Sequence, residues 1–417
     1  MGNNKPVIIG YNAISALGTD LEQQWQRALA GESGIGPLSR FPLAEDFPVR
    51  IAGQVPDIDD TNKKYPFLTA RHLASWSSPV FKYAMLTVAR SLDRCGLEIT
   101  PELAPRVAVT YSSAIGGLDA VLKADRRMRT ENKLPPPYSN PNSCINMVGG
   151  KIAIQTGAQG PIVTPVTACA TGLTSIITGA MFLAQGRADV AICGAVDFAL
   201  VEPIVAGFYT MNGVYIPKEG QEEPPQSASR PFSKNRRGFV ISEGAGAVIL
   251  ATPEFAENHN LPFNIELAGW GMTSDAHHFV APYFDTIKQC MQDALADAGI
   301  TPADIASVNG HAASTRVGDK VEYDALRAVF GDNIPPVTAN KSLIGHAMGA
   351  SSVIESIFSF QGMRDGILPP TINYQPDPQI DIDCVANRKR TLEQEFVLKN
   401  SFGFGGCNSC AIFKRVI

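Results

Sequence analysis

The sequence predicts an α/β protein in which helices cover the faces of mostly buried strands. Apolar runs of strand length alternate with helical patterns along the chain. Hydrophobic residues make up 45% of the 417 positions and charged residues 18%, a composition that suits a large buried core. In addition, two segments of the first half of the chain recur in the second half. These observations together predict layered α/β architecture with an internal duplication.

The individual elements follow from apolar periodicity and from turn-forming residues. Buried strands are predicted at 107–111, 190–194 and 245–251. Helices are predicted at 81–95, 171–185, 286–298 and 352–361. The stretches 133–142 and 218–230 are rich in proline and charge and are predicted to be surface loops.

The duplication rests on two pairs of segments that keep the same order. Residues 91–103 and 294–305 each contain a helix end, a glycine stop, a Thr-Pro start and a strand. Segments 171–189 and 347–365 share five residues at one constant offset: Ser175/Ser351, Phe182/Phe358, Gln185/Gln361, Gly186/Gly362 and Asp189/Asp365. We therefore expect two related halves, 1–255 and 256–417, packed as one body. Cys169 and His346 precede equivalent helices, so we expect them to face a shared cavity.

Bulk properties exclude several classes of protein. The net charge of -5 carries no basic bias and argues against nucleic acid as a partner. The sequence contains no run of about 18 apolar residues, so no membrane span is predicted. The N-terminus lacks the pattern of a signal peptide. The eight cysteines are scattered and do not form a disulfide framework. The sequence predicts a reduced, cytoplasmic protein.

Cys169 is the first candidate for chemistry. It lies in V-T-A-C-A-T-G-L-T-S at 166–175, among small residues, where a buried helix is predicted to begin. A helix N-terminus favours the nucleophilic thiolate, because its free N–H groups and dipole stabilise negative charge. The alternative is a buried structural cysteine, which is common.

Two histidines and a lysine form a second group of candidates. His311 follows a short apolar strand, and Lys341 and His346 lie in a turn that leads into a helix. A lone histidine is most often a satisfied core residue. A buried lysine needs a partner, and Glu322 is the candidate.

The segment N-S-F-G-F-G-G-C-N at 400–408 predicts a sharply bending loop with aromatic plugs. A phosphate cradle is the alternative, but the segment lacks the Lys-Ser/Thr of a P-loop and leads into a strand. Cys407 and Cys410 form a C-x-x-C motif without a second pair, and no third ligand accompanies His277 and His278. We therefore expect no metal site.

Taken together, these motifs resemble the β-ketoacyl-acyl-carrier-protein synthases of the elongating Cys-His-His type. The resemblance spans nearly the whole chain. Its motifs are V-T-A-C-A-T-G, R-P-F-S-K-N-R-R-G-F-V-I-S-E-G-A-G-A, T-S-D-A-H-H-F, the His311 turn (V-N-G-H-A-A-S-T-R-V-G-D at 308–319), N-K-S-L-I-G-H-A-M-G-A and N-S-F-G-F-G-G. It implies the thiolase fold, with five alternating αβαβα layers built from two similar halves, and usually a homodimer.

The resemblance also implies a mechanism. Cys169 would accept an acyl chain from acyl carrier protein as a thioester, and the backbone N–H groups of Cys169 and Phe404 would form the oxyanion hole. Malonyl-acyl carrier protein would lose carbon dioxide, and His311 and His346 would stabilise the enolate that attacks the thioester. Lys341, paired with Glu322, would hold the histidines. No cofactor is implied beyond the phosphopantetheine that carries the substrates.

Further residues are implied in substrate binding. Phe404 resembles the gate of the acyl pocket, and Ile115 resembles the residue that limits its depth. The remaining implied substrate-binding residues are Thr315, Phe402, Phe239 and Asp275. Acyl carrier protein is acidic, so basic residues are its candidate docking site, with ordinary solvated charge as the alternative: Lys63, Lys64, Arg71, Arg126, Arg127, Arg129 and Lys133.

Three positions depart from the family pattern. Ala312 and Ala313 stand where the family has Gly and Thr after the first histidine, and Cys407 replaces a threonine. These changes indicate a specialised synthase, as in polyketide or aryl-polyene assembly. Two alternatives stay open: a partner subunit of the chain-length-factor type, and a thiolase. The chain is expected to form a homodimer or a heterodimer with a paralogue.

Overall fold

The computed structural model describes residues 5–58, 64–218, 220 and 223–416. Its strands in this part of the chain are β1 (Val7–Ile14), β2 (Ile35–Pro37), β3 (Ile51–Gly53), β4 (Val107–Ser112), β5 (Val190–Asp197), β6 (Gly244–Ala251), β7 (Ile265–Ser274), β8 (Ile305–Asn309), β9 (Val337–Thr338), β10 (Ile367–Leu368), β11 (Arg390–Thr391), β12 (Phe396–Gly403) and β13 (Cys407–Arg415). Its α-helices are α1 (Leu21–Leu29), α2 (Ala70–Leu73), α3 (Pro79–Cys95), α4 (Leu118–Glu131), α5 (Ser139–Ser143), α6 (Asn146–Thr156), α7 (Thr171–Ala184), α8 (Glu202–Thr210), α9 (Pro253–Asn258), α10 (Phe284–Ala298), α11 (Arg316–Phe330), α12 (Lys341–Ile344) and α13 (Met348–Asp365).

The strand order of the main sheet repeats itself. In the described residues it is β4-β5-β6-β1-β7-β13-β12-β8-β9. From the centre outward, β1, β6, β5 and β4 pair in the same directions as β7, β13, β12 and β8: antiparallel, antiparallel, then parallel. The two sections meet through the single pair Val7 and Glu266.

Three hydrophobic cores define five layers. The central core contains α7 and α13 between apolar side chains of both sheet sections, such as Ala191 and Phe413. A second core packs α3 and α6 on the outer face of the first section, and a third packs α10 and α11 on the outer face of the other. Period-2 alternation explains this, because adjacent residues such as Ala108 and Val109 contribute to opposite faces. The predicted five-layered α/β architecture is confirmed.

The predicted elements match closely. The three predicted strands appear as β4, β5 and β6, and the four predicted helices as α3, α7, α10 and α13. Helix α13 begins four residues earlier than predicted, at Met348. Helices α3 and α10 both end at a glycine, Gly96 and Gly299, each with φ of 69°. The left-handed conformation carries no Cβ penalty there, which explains both stops.

The two predicted surface loops have a mixed outcome. The segment 133–142 contains the start of α5, so it is only partly a loop. In the segment 218–230, residues 219, 221 and 222 lie outside the described residues, and Pro225–Ser227 forms a 3-10 turn. In the described ranges, no helix is both long and apolar enough to cross a membrane.

Candidate active site

One cavity of about 770 Å³ lies where the two halves of the chain meet. Segments from both halves line it, including the turns that follow β8 and precede α7 and α13. Nine of the residues predicted for the site line this cavity: Ile115, Cys169, Phe239, Asp275, His311, Thr315, His346, Phe402 and Phe404. Lys341 and Glu322 are buried behind this lining. Cys169 and His346 therefore share a cavity, as the duplication predicts.

Cys169 lies in the 3-10 turn Ala168–Ala170, directly before α7. Ala168 has a positive φ of 48°, so the turn is strained and needs support from its surroundings. Strand β12 gives that support, since the Ser401 hydroxyl donates to the carbonyl of Cys169 at 3.2 Å. A Cβ at Gly403 would lie 2.2 Å from the carbonyl oxygen of Thr167, so only glycine lets the two segments approach so closely.

The thiol of Cys169 is held in its protonated form. Burial raises its pKa to about 11, and the positive charge of Lys341 and the backbone N–H of Phe404 oppose that rise. The helix N-terminus alone therefore does not give a thiolate at neutral pH. The backbone N–H groups of Phe404 and of Cys169 itself both favour the thiolate and so lower the pKa. These two donors also belong to the predicted oxyanion hole.

His346 is buried between α12 and α13. Its backbone N–H donates to the carbonyl of Val240 at 2.7 Å, which fixes the residue against the first half of the chain. The backbone N–H of Met348 donates to Nδ1 of the imidazole at 3.1 Å. Because Nδ1 accepts, a neutral ring carries its proton on Nε2. His346 therefore presents an N–H donor away from the turn.

His311 lies at the end of β8, with its ring centroid 5.8 Å from that of His346. The Glu322 carboxylate accepts the backbone N–H groups of His311 at 2.8 Å and Ala312 at 2.7 Å, and also bonds the Asn400 amide. Nδ1 of His311 has no hydrogen-bond partner in the described residues. Glu322 thus holds the backbone of the His311 turn from below.

The predicted pairing of Lys341 with Glu322 is wrong. The Lys341 ammonium forms an ion pair of 2.7 Å with Glu355 and donates to the carbonyl of His311 at 2.5 Å. Glu322 is occupied by the N–H groups of the His311 turn, whereas Glu355 on α13 lies beside Lys341. The other oxygen of Glu355 contacts Lys399 on β12 at 2.7 Å. One buried carboxylate is therefore shared by two buried lysines.

Both histidines are held neutral. Burial is the largest cause and lowers the pKa of His311 and of His346 well below 6.5. The positive charges of Lys341 and Lys399 lower both pKa values further, because they disfavour a third cation nearby. At neutral pH the cavity therefore offers neutral imidazoles.

Aromatic rings form an apolar wall beside the histidines. Phe239 lies edge-on to Phe208 at 5.5 Å and to His346 at 5.3 Å. Phe402 lies 5.6 Å from His311, and Phe404 lies 6.5 Å from Phe208. This wall suits an apolar chain attached to Cys169.

The loop at Ile115 is fixed by a single carboxylate. Asp197 at the end of β5 accepts the N–H groups of Ala114 at 3.2 Å, Ile115 at 3.0 Å and Gly349 at 2.8 Å. Burial raises the pKa of this carboxyl to about 6 despite these bonds. The pocket wall at Ile115 and the start of α13 are thereby joined.

Asp275 and Thr315 line the cavity, and their polar atoms already have partners. Asp275 accepts the Asn408 amide at 2.6 Å and the backbone N–H of Tyr283 at 3.1 Å. The Thr315 hydroxyl accepts the N–H of Gly318 at 3.2 Å and caps α11. Ala313 lines the cavity as well, with an apolar methyl group where the family has a hydroxyl.

Ala312 and Cys407 do not line the cavity. Ala312 is buried with φ of 21°, and its Cβ packs in the third hydrophobic core. Cys407 is half-buried at the start of β13. Both departures from the family pattern therefore act on the surrounding framework.

The cysteines and histidines for which we expected no metal site have other contacts. Cys410 is buried and bonds the Asn400 side-chain oxygen at 3.2 Å. His277 packs on Tyr283, and Nδ1 of His278 accepts the N–H groups of Val280 and Ala281. In the described part of the chain, no group of three or more His, Cys, Asp or Glu side chains is placed to hold a metal ion.

The basic docking candidates that the structure describes are exposed or half-buried. Lys64, Arg129 and Lys133 pair with Asp93, Asp125 and Glu131, respectively, whereas Lys63 lies outside the described residues. Arg71 and Arg126 are exposed, and Arg127 is half-buried on α4. Arg126, Arg127 and Arg129 all belong to α4, where only Ala120 is buried. This helix is largely exposed to solvent and carries four basic and three acidic residues.

Sequence reasoning missed Glu355 and Lys399. Glu355 is the only charged residue in the run S-S-V-I-E-S-I-F-S-F, and Lys399 directly follows the apolar residues F-V-L. A single charge within an apolar element signals a buried partner of opposite charge. That signal was present, but it does not reveal which two elements meet.

Comparison with known proteins agrees with this geometry. The family model "Beta-ketoacyl synthase, N-terminal domain" matches residues 4–256, and "Beta-ketoacyl synthase, C-terminal domain" matches residues 265–375. The chain is 35% identical to the 3-oxoacyl-[acyl-carrier-protein] synthase 2 of Coxiella burnetii (strain RSA 493 / Nine Mile phase I), with 100% of both chains covered.

Solved structures extend the similarity to three dimensions. The ishigamide ketosynthase/chain length factor matches with a TM-score of 0.90 at 29% identity, covering 100% of both chains. A type II PKS acyl-carrier protein in complex with its ketosynthase bound to the hexaketide matches with a TM-score of 0.89 at 25% identity, also over 100% of both chains. With its thiolase-type architecture and its full-length match to acyltransferases, the chain belongs to the β-ketoacyl synthase family.

Proposed function

We propose that the cavity condenses a Cys169-bound acyl chain with malonyl-acyl carrier protein to give a 3-oxoacyl product. The observation that carries this proposal is the shared cavity itself. One thiol with two backbone N–H donors faces two neutral histidines beside an apolar wall. A nucleophile, an oxyanion site and donors for an enolate are the groups that this chemistry needs.

In the first half-reaction, Cys169 receives the acyl chain. Its sulfur attacks the thioester carbon of acyl-acyl carrier protein, and the N–H groups of Cys169 and Phe404 stabilise the resulting oxyanion. The carrier thiolate leaves and takes the proton that Cys169 loses. The products are acyl-Cys169 and free carrier thiol. A thiol with a pKa of about 11 suits this exchange, because the proton is transferred during the reaction.

In the second half-reaction, malonyl-acyl carrier protein loses carbon dioxide. The electron pair of the broken carbon–carbon bond forms an enolate, whose oxygen accepts hydrogen bonds from His346 and His311. The enolate carbon attacks the Cys169 thioester, and the thiolate that leaves takes up one proton. The products are 3-oxoacyl-acyl carrier protein, carbon dioxide and free Cys169. Neutral imidazoles serve as donors here, and burial together with the charge of Lys341 keeps them neutral.

Acyl carrier protein is the proposed partner, since relatives named for it match the full chain. The basic residues of α4 and Arg71 are proposed to meet its acidic surface. The substrates are proposed to arrive on phosphopantetheine, without a further cofactor. Whether the product enters fatty-acid, polyketide or aryl-polyene assembly depends on the acyl pocket.

We also infer that the chain is a duplication of two halves, 1–255 and 256–417, and that it works as a dimer. The exposed residues Ile162 and Val163 lie beside the edge strand β4, Val166 is exposed three residues further on, and these apolar side chains favour a partner subunit there. A second copy is the proposed partner, with a paralogue as the alternative.

A partner subunit of the chain-length-factor type is the second candidate function. Similarity to a ketosynthase/chain length factor structure favours it, together with the loss of a cavity hydroxyl at Ala313. Cys169 lies beside the backbone N–H groups that we assign to the oxyanion hole. Its presence favours a condensing enzyme over a partner subunit.

Intact-mass spectrometry tests the proposed function. Wild-type protein should gain one acyl group from acyl-acyl carrier protein and lose it to malonyl-acyl carrier protein as 3-oxoacyl product. Cys169→Ala should gain no acyl group, whereas Cys144→Ala, which removes an exposed cysteine, should react like wild type. Failure of the wild type with every primer would favour the partner-subunit function.

A further inference from the structure

Lys399 is a second buried lysine behind the candidate site. It lies on β12, one residue before the N-S-F-G-F-G-G loop, and its side chain is 0% exposed. The ammonium has three oxygen neighbours: Glu355 Oε2 at 2.7 Å, the carbonyl of Asn400 at 2.7 Å and the carbonyl of Gly310 at 3.5 Å. Three acceptors match the three N–H donors of an ammonium group.

The two lysines and Glu322 act on one short turn. Lys399 lies at the carbonyl of Gly310, and Lys341 donates to the carbonyl of His311. On the opposite side, Glu322 accepts the N–H groups of His311 and Ala312. Cations therefore hold the carbonyl side of this turn and an anion holds its N–H side.

The same turn carries unfavourable backbone conformations. Ala312 and Ser314 have positive φ values of 21° and 67°, a region that L-residues adopt only when their surroundings enforce it. Lys341, Lys399 and Glu322 form a clamp on Gly310, His311 and Ala312, whereas the N–H groups of Arg230 and Gly238 hold Ser314. The clamp fixes the backbone from which the His311 ring enters the cavity.

Stability alone does not explain a lysine at this position. Burying a charge in a strand costs as much as its ion pair returns, and an apolar residue of similar volume serves a core equally well. Glu355 already has Lys341 as a partner, so it does not require Lys399 for neutrality. The lysine is therefore best explained by its effect on the neighbouring turn.

We propose that Lys399 is a positioning residue for malonyl decarboxylation, acting as a tethered cation that holds the Gly310–His311 turn and Glu355. The proposal rests on the proposed function. Lys399 does not line the cavity, so we expect it to make no contact with a substrate. Its removal should therefore impair the half-reaction that uses His311 and spare the acylation of Cys169.

The first test is Lys399→Met, which keeps the volume and removes the charge. Malonyl-acyl carrier protein decarboxylation should fall roughly 10- to 100-fold in kcat, the usual effect of removing a supporting group. Acylation of Cys169, followed by intact mass, should stay near the wild-type rate. Lys414→Met, a partly exposed lysine on the neighbouring strand β13, is the matched control and should leave both half-reactions unchanged.

The second test is chemical rescue of Lys399→Ala. The shorter side chain leaves space between Glu355 and the two carbonyls for a free ammonium ion. Ammonium chloride should restore decarboxylation and raise the melting temperature of this variant. Tetramethylammonium chloride at equal ionic strength is too large to enter and should do neither. Lys399→Met keeps the space filled and should not respond to ammonium.

Each remaining outcome opposes the proposal. If Lys399→Met decarboxylates malonyl-acyl carrier protein at the wild-type rate, the positive charge of Lys399 has no role in this step. An equal loss of both half-reactions, without an ammonium response, would assign Lys399 a merely structural role. If wild-type protein neither acylates nor decarboxylates, the proposed function fails. The melting-temperature response of Lys399→Ala then decides separately whether this position holds a cation.

Discussion

At the scale of single residues, Cys169 is governed by two opposing influences. Burial removes water from the sulfur and favours the neutral thiol, whereas Lys341 and two backbone N–H groups favour the thiolate. Burial is the larger influence, so Cys169 is a protonated thiol at neutral pH. A protonated thiol is protected from oxidation and from unwanted electrophiles, because the thiolate is the reactive form.

The raised pKa gives a direct prediction for alkylation of Cys169 by iodoacetamide. With a pKa of about 11, only about 0.1% of the thiol is ionised at pH 8. The alkylation rate should therefore rise about tenfold per pH unit and show no plateau below pH 10. Peptide mass mapping measures the rate, with Cys169→Ala as the blank. A plateau near pH 8.5 would contradict the assigned environment.

The individual site residues were predictable to different degrees. Local sequence made Cys169, His311 and His346 candidates, the resemblance to a known family implied their roles, and the structure places all three on the cavity lining. The partner of Lys341 was not predictable, since Glu322 and Glu355 lie on different helices and only their packing decides between them. Local sequence specifies a side chain well, but it does not specify its neighbours in space.

At the scale of elements, the end of β12 and the turn before α7 support each other. Ser401 bonds the carbonyl of Cys169, and Gly403 allows the carbonyl of Thr167 to approach. These contacts join β12 to the turn that carries Cys169. The glycine-rich segment at 400–408 was predicted to bend sharply. Its Gly403 is the residue that lets β12 approach the carbonyl of Thr167.

Gly403→Ala should therefore displace the turn that carries Cys169 while leaving Cys169 itself unchanged. The added Cβ would lie 2.2 Å from the carbonyl oxygen of Thr167, so one of the segments must move. We expect a loss of about 1–3 kcal/mol in the free energy of unfolding and a slower acylation of Cys169. Chemical denaturation and intact mass measure the two effects.

Gly36→Ala on β2 is the control, because its Cβ would meet nothing within 4 Å. It should leave acylation at the wild-type rate. Equal acylation rates in Gly403→Ala and Gly36→Ala would show that the β12 contact does not position Cys169.

At the scale of the whole molecule, the alternation of strands and helices was predictable from local patterns and the shape of the pocket was not. The period-2 and helical patterns predict the strands, the helices and their alternation, and the resemblance implied the five layers. The cavity needs distant segments such as 114–115, 208–216 and 402–406 to converge. Their convergence depends on how the two halves pack, which no local pattern contains.

Ile115 connects this packing to the choice of acyl chain. It lines the cavity, and Asp197 fixes its backbone. Ile115→Phe adds volume at the wall, so long acyl primers should lose transfer to Cys169 while short primers keep it. Ile115→Ala should extend the range toward longer primers. Competition between a short and a long acyl-acyl carrier protein, read by intact mass, measures the preference. An unchanged preference in both variants would place the limit of the pocket elsewhere.

The repeated segments bear on where the polar groups of the cavity come from. At the constant offset that relates Ser175 to Ser351, Cys169 corresponds to Gly345 and its neighbour Ala170 to His346. Under the inferred duplication, one helix start carries a thiol and the equivalent helix start carries an imidazole one position along. Two unlike groups that line one cavity would then occupy nearly equivalent places in two similar halves.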